Sequence, residues 1–215
     1  MTISTENLQD LPDVRVLKRV LQSLAMLDAI LEPTWSYRYY SFDAQWGTNE
    51  MMGSMRNGQG DDFFVLFNAN GAFVKGFVHD APIITQGISS EAYYRRVPRE
   101  FDGCITEPAF SPKNVTFCLW RLNEQSSWSH SEVPLLGPDS DGSAYMLSIL
   151  DGAPESYHSW AVAYYERDIS IEAVTAIYRH RPLTDDLIRV LNPEQRAAAL
   201  ADDIAKIGYP ALLSP

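Results

Sequence analysis

The sequence is poor in the residues that cross-link a chain or anchor it in a membrane. Its 215 residues include two cysteines, Cys104 and Cys118, which are too few for a disulfide framework and lack metal-site spacing. We expect both to be reduced and buried, since free cysteine is among the most buried residue types. No run approaches the roughly 20 apolar residues of a membrane span. The first residues also lack the basic and apolar regions of a signal peptide, so these absences predict a cytoplasmic protein.

The common catalytic and ligand-binding motifs are also missing. There is no G-x-S-x-G elbow of a serine hydrolase. Gly58-Gln59-Gly60 is followed by Asp61 and Asp62, two acids that would repel a phosphate. Asp139-Ser140-Asp141-Gly142 resembles the start of a calcium loop, but its twelfth position is Leu150 instead of glutamate. The sequence therefore predicts no cofactor and no metal site.

Basic side chains are scarce in the second half of the chain. The net charge is −11, and residues 122–215 carry 14 acidic and 6 basic side chains, a net charge of −8. This charge repels nucleic-acid phosphates and anionic membranes, so we expect neither as a partner. It would steer a basic protein partner, although solubility alone explains the same charge. A homodimer is a further possibility.

The first element that the sequence predicts is an amphipathic helix. Asp10 is a plausible N-cap, Leu17, Val20, Leu21, Leu24, Leu27 and Leu31 follow helical spacing, and Pro33 ends the pattern. We expect residues 1–9 to be disordered. Without a linker or an internal repeat, the chain predicts one domain over residues 1–215.

A β-meander follows the helix. The pattern predicts strands near residues 37–42, 51–56, 62–67, 72–78 and 116–122. Asn68-Ala69-Asn70-Gly71 is typical of a tight hairpin turn, because asparagine and glycine tolerate positive φ. Phe63, Val65 and Phe67 alternate with Phe64 and Leu66. Both faces of this strand are thus apolar, which predicts a central strand covered on both sides.

The rest of the chain is predicted to be mainly helical. Residues 88–101 and 143–150 favour short helices, and residues 157–166 favour a strand with small side chains on one face. Ser170, Thr184 and the segment Asn192-Pro193-Glu194-Gln195 are expected to start three helices, with Gly208 ending the last. The predicted class is α+β: a mostly antiparallel sheet with an N-terminal helix and a C-terminal group of short helices.

Candidate catalytic residues stand near the ends of the predicted strands. His79, Asp80, Asp43 and Glu50 combine a histidine with carboxylates, the groups that general acid–base catalysis uses. A hydrolase with an unrecognised active site needs these side chains to converge in a pocket.

Candidate partner-binding residues lie in polar segments. Trp46 and Trp128 are flanked by polar residues, and an exposed tryptophan is a common interface anchor. Asp139 and Asp141 belong to the acidic second half. We expect these four to contact a partner if the protein binds rather than catalyses.

Two segments carry a resemblance to known proteins. Tyr37-Arg38-Tyr39-Tyr40-Ser41-Phe42 and the stretch FFVLFNANGAFVKG at residues 63–76 resemble bacterial proteins that have no assigned activity. Compact acidic α+β proteins of this style are similar to immunity proteins, which neutralise toxins by binding them. The resemblance implies a non-catalytic protein that binds a basic partner, with a hydrolase as the alternative.

Overall fold

The structure is a computed structural model that describes residues 2–213. Within these residues the helices are α1 (Val14–Leu31), α2 (Ser90–Tyr94), α3 (Asp102–Thr106), α4 (Ser143–Leu147), α5 (Pro154–Tyr165), α6 (Ile171–Tyr178), α7 (Asp185–Leu191) and α8 (Ala201–Ile207). The strands are β1 (Tyr40–Gly47), β2 (Glu50–Arg56), β3 (Asp62–Asn68), β4 (Gly71–Phe77), β5 (Phe117–Leu122) and β6 (Ser129–His130). Short 3₁₀ turns connect several of them. None of the helices in residues 2–213 has the length and apolar character that crossing a bilayer requires.

The strands form one antiparallel sheet in the order of the chain. Each strand pairs with the next, from β1 at one edge to β6 at the other. Asn68 pairs with Gly71, which confirms the predicted hairpin between β3 and β4. The α+β class, with its meander, N-terminal helix and C-terminal short helices, is confirmed.

Strand β3 lies inside the sheet and is covered on both faces, as predicted. Phe63, Val65 and Phe67 belong to the larger apolar cluster, on the face that α1 covers. Phe64 and Leu66 belong to a second cluster on the opposite face. Since side chains alternate along a strand, β3 contributes residues to both clusters.

The larger cluster lies between the sheet and the long helices. Helix α1 packs against β1 and β2, and α6 and α8 pack against α1. Gly53 of β2 permits this close approach, because an added Cβ there would lie 2.9 Å from Cδ1 of Leu21. The N-cap of α1 is Asp13, whose carboxylate accepts from the Val16 N–H at 2.8 Å, so the choice of Asp10 was wrong.

Residues 154–165 form helix α5, so the predicted strand was wrong. Pro154 occupies the first turn, where its missing N–H has no cost. The alternation of small residues that suggested a strand coexists with a helical spacing of aromatic ones. Tyr157 and Ala161 are buried four residues apart, and the rings of Trp160 and Tyr164 stack at 5.1 Å.

The segment after α7 does not start a helix at Asn192. Its amides satisfy the end of α1 instead: Asn192 Nδ2 donates to the Ile30 carbonyl at 2.8 Å and Gln195 Nε2 to the Ala29 carbonyl at 3.3 Å. Helix α8 therefore begins later, at Ala201. Ser170 and Thr184 cap α6 and α7, and Gly208 ends α8 with φ of 69°, as predicted.

The first residues are packed against the rest of the protein, in contrast to the disorder expected for residues 1–9. Ile3 is 2% exposed. The Thr5 hydroxyl donates to Asp141 at 2.6 Å, and the Thr5 N–H donates to Ser143 Oγ at 2.9 Å. These contacts lie more than 130 residues away along the chain, so local sequence could not indicate them. Residue 1 lies outside the described residues.

Candidate functional site

One end of the sheet gathers residues from four strands. The register pairs Tyr40 with Met55, and Asp62 with both Arg56 and Phe77. The start of β1, the end of β2, the start of β3 and the end of β4 therefore share this end.

A groove of about 260 Å³ opens at this end, beside β1. Its walls come from the first strands, from the α4 region and from α5. The lining residues are Tyr39, Tyr40, Met55, Tyr145, Met146, Ser148, Ile149, Ser156 and Trp160. Pockets for drug-sized ligands have volumes of about 300–1,000 Å³, so this groove suits a single side chain better than a cofactor.

Aromatic rings build one side of the groove. Tyr39 lies 5.1 Å from Trp160 and 4.7 Å from Tyr164, between ring centroids, and Tyr40 lies 5.3 Å from Trp160. Trp160 and Tyr164 are four residues apart in α5, so both rings come from the same face of the helix. Tyr164 is 41% exposed, and Tyr145, from α4, is 58% exposed. The groove thus presents the ring of Tyr145 to solvent, and Tyr164 is exposed beside Trp160 and Tyr39.

Asp28 of α1 lies beneath the groove and binds the backbone of two residues that line it. It is fully buried, and its Oδ2 accepts from the backbone N–H groups of Tyr39 and Tyr40, both at 2.9 Å. Its Oδ1 accepts from the Tyr157 hydroxyl at 2.7 Å. Burial raises the pKa of this carboxyl to about 6, although the hydrogen bonds act in the opposite direction. One carboxyl group therefore fixes the entry of β1 against α1 and α5.

Acidic residues predominate in the chain segment that supplies the helical side of the groove. Residues 139–178 contain seven acids and one basic residue, Arg167. Arg167 points inward: its Nη2 donates to the Leu31 carbonyl at 2.8 Å and its guanidinium lies 5.4 Å from the Tyr165 ring. Asp151 accepts from the hydroxyl of Ser156, a lining residue, at 2.5 Å. The exposed acids of this segment are Asp151, Glu155, Glu166, Asp168 and Glu172.

Two of the predicted catalytic residues meet a third that the prediction missed. His79 Nδ1 lies 2.7 Å from Asp61 Oδ1, and ligand atoms of Asp61, His79 and Asp80 lie within 4.8 Å of one another. The hydrogen bond that His79 donates to Asp61 raises the pKa of His79, whose side chain is 47% exposed. These three side chains have ligand atoms suited to a cation. However, Asp61 already accepts hydrogen bonds from His79 and, at 2.6 Å, from Asn57. The expected absence of a metal site stays a prediction.

The other two predicted catalytic residues lie elsewhere. Glu50 stands opposite Gly47 in the β1–β2 hairpin, at the far end of β2 from Arg56. Asp43 lies 3.6 Å from Lys206 of α8 and accepts from the Gln45 N–H at 2.8 Å. The four side chains therefore do not converge on one pocket, as a hydrolase built from them requires.

The predicted partner-binding residues are mostly engaged inside the protein. Trp128 is 6% exposed, and its indole N–H donates to the Pro12 carbonyl at 2.8 Å. Asp141 is buried and accepts from Thr5 and from the Ser143 N–H. Trp46 is half-buried and stacks on Phe110 at 5.8 Å, and Asp139 accepts from the Ala144 N–H at 2.6 Å. The exposure that made Trp128 and Asp141 candidates is absent, because polar flanking residues do not reveal distant partners.

The sequence nevertheless contains signals for the groove. Asp28 is a lone acid among the apolar residues of α1, and Trp160 and Tyr164 have helical spacing after Pro154. A buried acid in an apolar stripe indicates hydrogen-bond donors brought from elsewhere.

Both cysteines are free and buried, as predicted. Burial raises the pKa of each thiol, Cys104 and Cys118, to about 12. Since the thiolate is the nucleophile, neither side chain is suited to covalent catalysis.

No protein-family model, curated protein or solved structure gives a significant match to this chain. The resemblance to immunity proteins therefore stays a prediction, and the fold and groove carry the functional argument.

Proposed function

We propose that this protein is a non-catalytic binding protein that takes a basic protein partner on the acidic, aromatic side formed by α4, α5 and the start of β1. We propose the cytoplasm as its compartment and an immunity-like role, neutralisation by binding, as its purpose. The observation that carries the proposal is the coincidence of exposed Tyr145 and Tyr164 with a chain segment that has five exposed acids and one inward-pointing arginine.

The chemistry of the surface supports binding. Tyrosine and tryptophan are enriched at interface hot spots, because they bury large rigid surfaces at low cost in side-chain entropy. Acidic side chains around such a centre steer a basic partner and set the dependence of association on salt. The same charge disfavours nucleic acid.

The hydrolase alternative has weaker support. Its favourable feature is the His79–Asp61 pair, an arrangement in which a carboxylate orients an imidazole. That pair is not among the residues that line the groove, and Asp43 and Glu50 lie apart from it. We therefore place binding first.

The test is capture of a partner with charge-reversed variants. Glu155→Lys changes the charge beside the groove, whereas Glu194→Lys makes the same change on another exposed glutamate and serves as the matched control. We expect the tagged wild type and the control to capture one basic protein from host extract in stoichiometric amount. Glu155→Lys should weaken that complex about tenfold and flatten its salt dependence.

Two outcomes would contradict the proposal. One is the absence of any stoichiometric basic partner, with the protein running as a monomer or as a homodimer by light scattering. The other is a partner that binds the wild type and Glu155→Lys with equal affinity.

A further inference from the structure

The walls of the groove are aromatic and apolar, whereas its rim carries hydroxyl groups and a carboxylate. Tyr39, Tyr145 and Trp160 supply aromatic surface, while Met55, Met146 and Ile149 supply apolar surface without rings. Ser148 and Ser156 bring hydroxyl groups, and Asp151 is held against Ser156 by a hydrogen bond. A ligand that fits must combine an apolar stem, a flat face and several hydrogen-bond donors.

An arginine side chain has all three properties. Its methylene stem packs on methionine and isoleucine, and its planar guanidinium stacks on aromatic faces and carries five donors. Tryptophan is the strongest aromatic partner of a cation, and tyrosine also contributes. Lysine offers the same charge, but its ammonium is compact, strongly hydrated and without a flat face.

The protein's own basic residues near this side are engaged in other contacts. Arg167 donates to the Leu31 carbonyl, Arg38 bonds Asp203 at 2.7 Å, and Lys206 lies 3.6 Å from Asp43. None of the three is among the residues that line the groove. None of the described residues that line the groove is an arginine or a lysine, so a guanidinium that enters it comes from another molecule.

We infer that the groove of Tyr39, Tyr145 and Trp160 receives an arginine side chain of the basic partner, with Asp151 and the serine hydroxyls at its rim accepting the guanidinium hydrogen bonds. The inference rests on the proposed function, because it names the side chain through which that partner is recognised. It deepens that function by predicting a preference for arginine over lysine at equal charge.

The test compares two peptides on the full chain. One has repeating Gly-Ser-Arg units, and the other has lysine in place of each arginine. Isothermal titration should show the arginine peptide binding the wild type about fivefold more tightly than the lysine peptide, from stacking that lysine lacks.

Tyrosine variants locate the preference. Tyr145→Ala should weaken binding of the arginine peptide about tenfold and leave the two peptides within about twofold of each other. Tyr37→Ala is the matched control, since Tyr37 is 65% exposed and does not line the groove. It should leave both affinities unchanged. Because Tyr145 is also largely exposed, both variants should unfold at the wild-type temperature, which circular dichroism checks.

The outcomes separate this inference from the proposed function. Equal binding of both peptides, sensitive to Glu155→Lys but not to Tyr145→Ala, overturns the arginine groove while the acidic surface still binds basic partners. Binding of neither peptide also overturns the groove, and the capture experiment then decides the proposed function by itself. An arginine preference that persists in Tyr145→Ala places the arginine outside the groove and overturns the inference as well.

Discussion

The two faces of the sheet are covered in different ways, and a buried charged group on each face has a different kind of partner. On the larger face α1 packs over 18 residues, and Asp28 is satisfied by neutral donors. The opposite face is covered by the five-residue helices α2 and α3 and by loops, and Lys75 is satisfied by an opposite charge, Asp62, at 2.7 Å. Packing of the long helix α1 against the sheet brings backbone N–H groups to the Asp28 carboxylate. Under the irregular cover of the opposite face, the Lys75 ammonium is paired instead with a carboxylate from the neighbouring strand.

The largest expected effect compares a core truncation on each face. Leu24 of α1 and Phe101 of the opposite face are both fully buried. We expect Leu24→Ala to cost about 4 kcal/mol, because a long helix cannot collapse into the cavity, and Phe101→Ala about 3 kcal/mol, because short segments can relax. Chemical denaturation measures both losses.

Hydrogen exchange sharpens this comparison. Phe101→Ala should speed exchange mainly in residues 90–106, whereas Leu24→Ala should speed it throughout the sheet. Uniform acceleration by Phe101→Ala would mean that the opposite face has no independent mobility, and the contrast between the faces would be lost.

The second prediction uses the raised pKa of Asp28. Its folded pKa of about 6 exceeds the value of 3.8 expected without burial, so the folded state binds this proton more tightly than the unfolded chain does. The free energy of unfolding should therefore fall by about 3 kcal/mol in total as the pH rises from the unfolded pKa through the folded pKa of this carboxyl. Asp28→Asn removes a charge but keeps the shape, and its amide oxygen can still accept from Tyr39 and Tyr40. We expect the variant to lose this pH dependence.

Urea denaturation between pH 4 and pH 7 measures this effect, with Asp202→Asn, an exposed acid of α8, as control. The control should follow the wild-type profile. If Asp28→Asn also follows it, the carboxyl is not the source of the pH dependence, and the neutral-donor environment assigned to it is wrong.

The smallest expected effect concerns the ion pair of the opposite face. The Lys75 side chain is 1% exposed and that of Asp62 is 21% exposed. In Lys75→Met the thioether replaces the ammonium beside Phe64 and Phe77, which lie 5.5 Å and 5.7 Å from it. Because water still reaches Asp62, we expect a loss of about 1–2 kcal/mol, below the 3–5 kcal/mol of a fully buried pair. A loss above that range, measured by thermal denaturation, would show that Asp62 is effectively sealed.

The sequence predicts elements well where local pattern and packing agree. The alternation in β3, the Asn68–Gly71 turn and the stripe of α1 each follow from a short stretch of chain, and all are present. Helix α5 was missed because small residues alternate on a helix that also has aromatic residues at helical spacing. Asn192 was misread because its amide serves the end of α1, a partner 162 residues away.

Of the candidate site, the sequence predicted only the excess of acidic residues. The acidic second half follows from composition, but the groove depends on Tyr39 and Tyr40 meeting Trp160, which lies far along the chain. His79 was singled out, yet its partner Asp61 was considered only as an acid that would repel a phosphate. Long-range contacts of this kind have no signature in a single sequence, because each residue type is equally common in an ordinary core or loop.

The edges of the sheet limit how another protein can attach. β1 carries an irregularity between Asp43 and Gly47 and packs against α8, and β6 at the other edge has two residues. Bulges, short strands and covering helices prevent strands of separate molecules from joining edge to edge. These features disfavour a partner that would extend this sheet with its own backbone, as in β-augmentation. In the complex that we propose, recognition would then depend on side chains, which would make it sensitive to single substitutions in the partner.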